Sequence, residues 1–209
     1  VHLVERDTNR FAISFNNHRP PSVGAERVEL FASTQNLLGF GDSLALRYGL
    51  TSGGIHDMQI AGVGESDVQD FSIDYAFPLS PRDTTLIFSV GKSDDAVIEE
   101  EFEELHITSE TLSYGLTLRH PVWRTPRSEL ALFLTGSIRH NQQFLLGDEF
   151  QFERTGENGE SDVTALPFGQ EFTTRDTRQA LAVRSTFSVG LNSFDATDND
   201  AADGQFAAW

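Results

Sequence analysis

The stretch DFSIDYAFPLSPRDTTLIFSV, residues 70–90, decides the fold. On both sides of its prolines, apolar residues alternate with other residues, and this period of two places them on one face of an extended chain. Pro78 and Pro81 interrupt the alternation, because proline fixes its φ and has no amide hydrogen to donate. The stretch therefore predicts two strands joined by a tight turn, with one apolar face and one polar face.

The same alternation recurs along the chain and predicts about nine strands. The connections between them alternate in length. Short turns are predicted around residues 39–42, 78–83, 121–126 and 173–178, and long polar connections at 52–67, 91–107, 141–162 and 192–204. Outer-membrane barrels have short periplasmic turns and long extracellular loops in this order. The pattern predicts an all-β fold, part of an antiparallel up-and-down transmembrane β-barrel with acidic extracellular loops.

The formal charge of −17 disfavours nucleic acid as a partner, because phosphate binding needs a basic surface. Acidic residues collect in three runs that we interpret as a solvated rim, residues 99–104, 148–160 and 195–203. The chain has no cysteine, so thiolate metal sites and disulfides are excluded. It also has no run of about 18 apolar residues, the signature of a membrane-spanning helix.

Charged residues alternate with apolar ones inside several predicted strands, which suits a water-filled lumen better than a packed core. An unpaired buried charge costs several kcal/mol. We predict that six polar side chains face the lumen: Arg47, Asp74, Arg119, Arg139, Glu171 and Arg184. A soluble antiparallel sheet with one solvated face gives the same alternation, so alternation alone does not decide between lipid and a protein core.

No enzyme motif is present in the sequence. The six histidines are scattered without metal-ligand spacing, and no G-x-S-x-G nucleophile elbow occurs. Aspartates 195, 198, 200 and 203 could hold calcium, but the closing glutamate of a calcium loop is absent. We therefore predict no catalytic residue, no metal site and no cofactor.

Six phrases of the chain resemble the haemolysin secretion/activation family, the outer-membrane transporters of two-partner secretion known as TpsB proteins. The resemblance extends from about Arg10 to Trp209. The phrases are QNLLGFGDSLALRYGLT from Gln35, YAFPLSPRDTTLIFSV from Tyr75, VIEEEFEELHITSETLSYGLTLRHPVWRTPRSELALFL from Val97, FLLGDEFQF from Phe144, VTALPFGQEF from Val163 and ALAVRSTFSVGLNSFDAT from Ala180.

The resemblance implies an outer-membrane barrel of sixteen strands, preceded by two periplasmic POTRA domains. It implies export of a large unfolded exoprotein of haemolysin or adhesin type, without ATP, by a protein that contacts the lipid bilayer and lipopolysaccharide. Residues 1–9 then resemble the tail of a POTRA domain and residues 10–209 the N-terminal part of the barrel. The family's inward loop with a V-R-G-[YF] tip falls after the last residue.

Two other functions are consistent with the strand pattern alone. The first is a passive outer-membrane porin or solute channel, which POTRA domains upstream and a V-R-G-[YF] loop downstream would argue against. The second is a soluble acidic β-sandwich that acts as a binding module. Such a module would stay folded and monomeric without detergent, whereas an open part of a barrel exposes apolar faces and two unpaired edges.

Overall fold

In a computed structural model, which describes residues 8–20, 22, 25–51, 68–97, 105–150 and 160–191, the chain forms one antiparallel sheet. Each long strand pairs with the next long strand along the chain, and β8 pairs with β7 alone. The strands are β1 Asn9–Asn16, β2 Arg27–Gln35, β3 Ser43–Thr51, β4 Val68–Pro78, β5 Thr85–Ala96, β6 Thr108–Arg124, β7 Ser128–Leu145, β8 Asp148–Glu149, β9 Glu160–Arg175 and β10 Ala180–Leu191.

The predicted hairpin of residues 70–90 is confirmed as β4 and β5. Tyr75 lies opposite Phe88, and Ile73 lies opposite Val90, so the apolar residues of both strands share one face. The turn between the strands closes where the Leu79 amide donates to the Thr84 carbonyl at 2.7 Å. Asp83 has a φ of 60°, a conformation that Asp tolerates better than most residues.

Several predicted boundaries are wrong in the same direction, because the strands continue into residues expected in loops or turns, including residues 160–162 and 173–175 of β9. Residues 91–96 continue β5, and residues 141–145 continue β7, although both were expected in loops. In both places the strand continues beyond its last regularly alternating apolar residue. Polar side chains such as Lys92 and His140 lie on the apolar face there, and the backbone pairing between strands continues past them. The turn expected at residues 121–126 is confined to residues 125–127.

A β-bulge explains why Pro121 lies inside a strand. The β6–β7 register shifts between Pro121 and Trp123, which leaves Val122 as the extra residue. Proline has no amide hydrogen to donate to the neighbouring strand. It is tolerated at a bulge because the regular hydrogen bonding between the strands is interrupted there. The extra residue moves Trp123 to the apolar face, where its ring stacks on Phe172 with centroids 6.5 Å apart.

One face of the sheet is apolar and exposed across all nine long strands. Apart from Val122 in the bulge, every exposed large apolar residue of the described strands lies on this face, from Phe11 in β1 to Leu191 in β10. Only Ala131 and Phe133 are buried apolar residues in the described part of the chain, and both lie on the opposite face. The sheet therefore has no apolar core of its own, and a sandwich of two packed sheets is not what these strands form.

Up-and-down connectivity gathers the connections at two ends of the sheet. Residues 36–42, 79–84, 125–127 and 176–179 form the short-turn end. The long connections at 17–26, 52–67, 97–107 and 146–159, the last of which contains β8, leave from the other end, which confirms the predicted alternation for the described strands. The long connection predicted at residues 192–204 lies outside the described residues. In the described ranges β1 and β10 each have only one neighbour, so the sheet is open. No helix in these ranges is long and apolar enough to cross a membrane.

Asp42 organises the turn between β2 and β3 and is fully buried. Its carboxylate accepts hydrogen bonds from the Leu38 amide at 3.1 Å and from the Tyr75 hydroxyl at 3.0 Å. Burial favours the neutral acid, but these donors and the amides of Phe40 and Asp42 favour the carboxylate and lower its pKa below the ordinary 3.8. The ionised carboxylate thus holds a turn that also needs positive φ at Asn36, Gly39 and Gly41.

We predict that Asp42→Asn lowers the unfolding temperature of the complete protein in detergent by a few degrees at pH 7. Because the folded pKa is lowered, the stabilisation by Asp42 is complete above its unfolded pKa of about 3.9 and is lost as the pH falls through the folded value. The difference between wild type and variant should therefore shrink below about pH 4. Tyr75→Phe, which removes one donor, should show a smaller effect with the same direction. An equal loss at pH 7 and pH 3 would contradict the role of the charge.

Candidate functional site

The face opposite the apolar one carries most of the charged side chains of the strands, and we define it as the polar face. Residues paired across strands share a face, so the register assigns each strand residue to one side. The structure brings all six predicted lumen residues to the polar face, although they come from six different strands: Arg47, Asp74, Arg119, Arg139, Glu171 and Arg184.

Three of these residues belong to one chain of ion pairs that runs across four strands. Arg184 on β10 lies 3.4 Å from Glu171 on β9. Glu171 also accepts from Arg119 on β6 at 3.3 Å, and Arg119 pairs with Glu129 on β7 at 2.6 Å. Glu171 therefore has two guanidinium partners, and Arg119 has two carboxylate partners.

The chain of ion pairs continues to the short-turn end of the sheet. Glu129 pairs with Arg124 at the end of β6, and Arg124 pairs with Asp83 in the turn between β4 and β5. These contacts join the turn at 79–84 to the neighbouring strands through side chains. The short-turn end is thus fixed by charges as well as by backbone pairing.

Arg47 and Asp74 form a second cluster on β3 and β4. Their side chains are 3.1 Å apart, and the Ser89 hydroxyl donates to the other oxygen of Asp74 at 2.8 Å. The Arg47 guanidinium also lies 5.3 Å from the centre of the Phe31 ring, within cation–π range. The charged group of Arg47 therefore covers the ring of Phe31, an aromatic residue on the polar face.

A third cluster was not predicted and joins β2 to β4 across β3. Arg27 approaches Asp70 to 2.5 Å and Glu29 to 3.2 Å. The strand between them carries Gly49 at the crossing, and a Cβ on Gly49 would lie 2.5 Å from both the Arg27 and Asp70 side chains. The absence of a side chain at Gly49 is therefore what lets the two charges meet over the middle strand.

Arg27 and Glu129 were missed because they sit at the ends of apolar runs. Each alternates with an apolar neighbour, Val28 and Leu130, so the same parity that identified Arg47 would have assigned both to the polar face. The partner of each residue could not be found this way, because several pairs span strands that are not adjacent in the sequence.

Arg139 differs from the other five predicted residues. It is exposed on β7 opposite Ser113 and Val163, toward the long connections. Within the described ranges it has no ion-pair partner. This makes Arg139 the uncompensated positive charge among the six.

Phe133 shows how an aromatic ring packs on the polar face beside the ion pairs. Its ring is nearly fully buried between Gly169 on β9 and the Arg184 guanidinium, which lies 4.3 Å from the ring centre. A Cβ on Gly169 would lie 2.5 Å from the Phe133 ring and 2.3 Å from the Ser185 carbonyl oxygen. Gly169 therefore provides the space that the ring occupies.

The described residues contain no group of three or more His, Asp or Glu side chains that could hold a metal ion. His140 and Asp162 form a close pair at 2.5 Å near the long connections, and the described ranges offer this pair no third His, Asp or Glu that would complete a metal site. The candidate calcium loop at residues 195–204 lies outside the described residues. The arrangement on the polar face offers paired charges and hydroxyl groups rather than a reactive centre.

Comparison with models of known protein families identifies one family. The sequence model of the family described as "Haemolysin secretion/activation protein ShlB/FhaC/HecB" matches residues 1–209. No curated protein sequence matches the chain significantly.

Two similar solved structures are CdiB from Escherichia coli and CdiB from Acinetobacter baumannii. The first has a TM-score of 0.74 at 18% identity, and the match covers 93% of this chain and 33% of the Escherichia coli chain. The second has a TM-score of 0.63 at 14% identity, and the match covers 88% of this chain and 32% of the Acinetobacter baumannii chain. At these identities the likeness concerns the fold, and the chain spans about a third of the length of either structure.

We predict that Gly169→Ala destabilises the complete protein by about 1–3 kcal/mol, because its new methyl group meets the backbone of β10 as well as the Phe133 ring. Gly136→Ala is the matched control, since a Cβ there meets nothing within 4 Å, and it should change stability by less than about 0.5 kcal/mol. Urea unfolding in lipid vesicles measures both. Equal stability of the two variants would show that β9 and β10 are not packed as described.

Proposed function

The chain belongs to the haemolysin secretion/activation family, and we propose that its strands form part of the wall of a conduit through which an unfolded exoprotein leaves the cell. Proteins of this family are outer-membrane transporters of Gram-negative bacteria and are not enzymes. The bacterial outer membrane is therefore the localisation of the chain.

The observation that carries the proposal is the separation of the two faces over nine strands. The exposed apolar residues lie on one face, and the three clusters of ion pairs lie on the other. A sheet that contacts lipid on one side and water on the other needs this arrangement, because hydrocarbon cannot solvate a charge. We therefore assign the apolar face to lipid and the polar face to the lumen.

The open edges of the sheet support a wall that further strands complete. Unpaired backbone groups at the edge of a sheet are not tolerated in hydrocarbon, so β1 and β10 need partners. We propose that residues 10–209 are the N-terminal part of a barrel of sixteen strands and that residues 1–9 are the tail of a periplasmic POTRA domain. The short-turn end then faces the periplasm, and the acidic connections face outward.

The pairing of charges on the polar face suits passage of an extended chain of arbitrary sequence. Isolated charges would attract oppositely charged segments and slow their release, whereas a guanidinium already held by two carboxylates presents a weak net field. Hydroxyl groups such as those of Ser89, Thr117 and Thr135 add polar contacts without charge. An unfolded exoprotein can thus slide past, and folding outside makes its transit irreversible.

The partners that follow are the exoprotein, lipid and lipopolysaccharide. Nucleic acid is not among them, since the chain carries a charge of −17 and its long connections are acidic. Membership of this family favours transport of a protein over passage of small solutes as in a porin. A labelling experiment can distinguish these two functions.

We predict that Ser72→Cys and Ile73→Cys, neighbours on β4, differ in reactivity toward a water-soluble maleimide by about tenfold or more, because a thiol in hydrocarbon is shielded and kept protonated. Ser72 lies on the polar face and Ile73 on the apolar face. The chain has no native cysteine, so each label reports one position. A complete transporter without other cysteines, in intact cells, is the protein to label.

An exoprotein stalled in transit by a folded C-terminal domain should slow labelling of Ser72→Cys severalfold and leave Ile73→Cys unchanged. Equal labelling of the two positions would contradict the assignment of the faces. Fast labelling of Ser72→Cys that the stalled exoprotein does not alter would favour a solute channel instead.

A further inference from the structure

We propose that the short-turn end is a binding surface for anionic phospholipids, in which arginines of three successive turns contact headgroup phosphates. The inference rests on the proposed placement of the strands in the membrane and goes beyond transport itself. The three residues are Arg82, Arg127 and Arg178, one in each of the turns 79–84, 125–127 and 176–179.

The three arginines are exposed and uncommitted. All three lie at turn positions, and within the described ranges none of them has an ion-pair partner. The acidic residues of these turns, Asp83 and Asp176, contact other groups. Asp83 pairs with Arg124, and the Asp176 carboxylate accepts the Thr177 amide at 2.7 Å. The guanidinium groups are therefore available to an external anion.

The turns are held in a common row, so the charges act together. The Arg175 amide donates to the Arg127 carbonyl at 2.8 Å, which ties the last two turns to each other. The Arg124–Asp83 ion pair ties the turn of Arg82 to the end of β6. A fixed row of arginines on one rim matches a layer of phosphates better than it matches a single small ion.

Apolar side chains beside this row place it at the level of the headgroups. Leu37, Leu38 and Phe40 in the turn 36–42 and Leu79 in the next turn are 50–67% exposed. The Phe40 ring packs edge-on against Phe77, with centroids 6.1 Å apart, so it extends the apolar face toward the turns. Apolar side chains that reach into the acyl region, with arginines directly beyond them, form the two layers of a lipid interface.

The charge of the opposite end supports the same partner. The long connections at 17–26, 52–67, 97–107 and 146–159 contain 13 acidic and two basic residues, whereas the four short turns contain three of each, and one of those acids, Asp42, is buried. Although the chain has a net charge of −17, Arg82, Arg127 and Arg178 all lie at the short-turn end. Phosphate headgroups are the anions that a membrane presents along that rim.

The experiment uses the complete transporter reconstituted in phosphatidylcholine vesicles with trace spin-labelled lipid. The fraction of label immobilised at the protein surface is compared between phosphatidylglycerol and phosphatidylcholine. We expect wild type to select phosphatidylglycerol by about three- to tenfold at low salt, with most of this selectivity lost in 0.5 M salt.

The triple variant Arg82→Gln, Arg127→Gln, Arg178→Gln should bring this selectivity to within about twofold of unity, and the triple Arg→Lys variant should retain it. Lys92→Gln is the matched control, because Lys92 is a cation on the apolar face toward the long connections. It should leave the selectivity unchanged.

Unchanged selectivity in the triple Gln variant would overturn the proposal, as would its loss in the Lys92→Gln control. Reduced export in the triple Gln variant with normal lipid selectivity would also overturn it and would indicate an acidic protein partner instead. Since no exoprotein is present in the vesicles, failure of the proposed transport leaves this result unaffected.

Discussion

The register of the β-ladders is the constraint on which the rest of the structure depends. A shift by one residue between any two strands would exchange the faces and place arginines among exposed phenylalanines. The sheet has almost no buried apolar residue to oppose such a shift, since only Ala131 and Phe133 are buried in the described part of the chain. Register is instead fixed by the short turns and by side-chain pairs on the polar face, such as Arg27 with Asp70, that join strands two apart.

These ion pairs have a role that differs from stabilising a folded core. Exposed ion pairs typically contribute 1 kcal/mol or less, so their number says little about stability. Their geometry says more, because Arg119 reaches Glu171 from β6 to β9 over the intervening strand, and Arg27 crosses β3 at Gly49. Long side chains that pair over a small residue such as Gly49 can therefore neutralise each other across a whole strand.

The sequence was sufficient for the strand order, the faces and the side of each predicted lumen residue, because all three follow from a period of two and from turn residues. It was insufficient where the backbone departs from that period. The bulge at Val122 reverses the alternation, so Trp123 lies on the apolar face although strict alternation would place it on the polar face. The ends of β5 and β7 were missed because polar residues fill the apolar face there, and a ladder of backbone hydrogen bonds does not depend on side-chain polarity. Ion pairs between strands two apart could not be predicted, since they depend on curvature and side-chain reach.

The lengths of the strands give the wall an uneven height. From β1 with eight residues to β7 with 18, the short turns stay at one end, so the additional residues project at the other. At about 3.3 Å per residue, and allowing for a tilt near 45°, β7 rises about 20 Å or more above β1. In the proposed conduit this part of the outer rim is therefore slanted. A polypeptide emerging from that conduit would pass the end of β1 before it passes the ends of β6, β7 and β9.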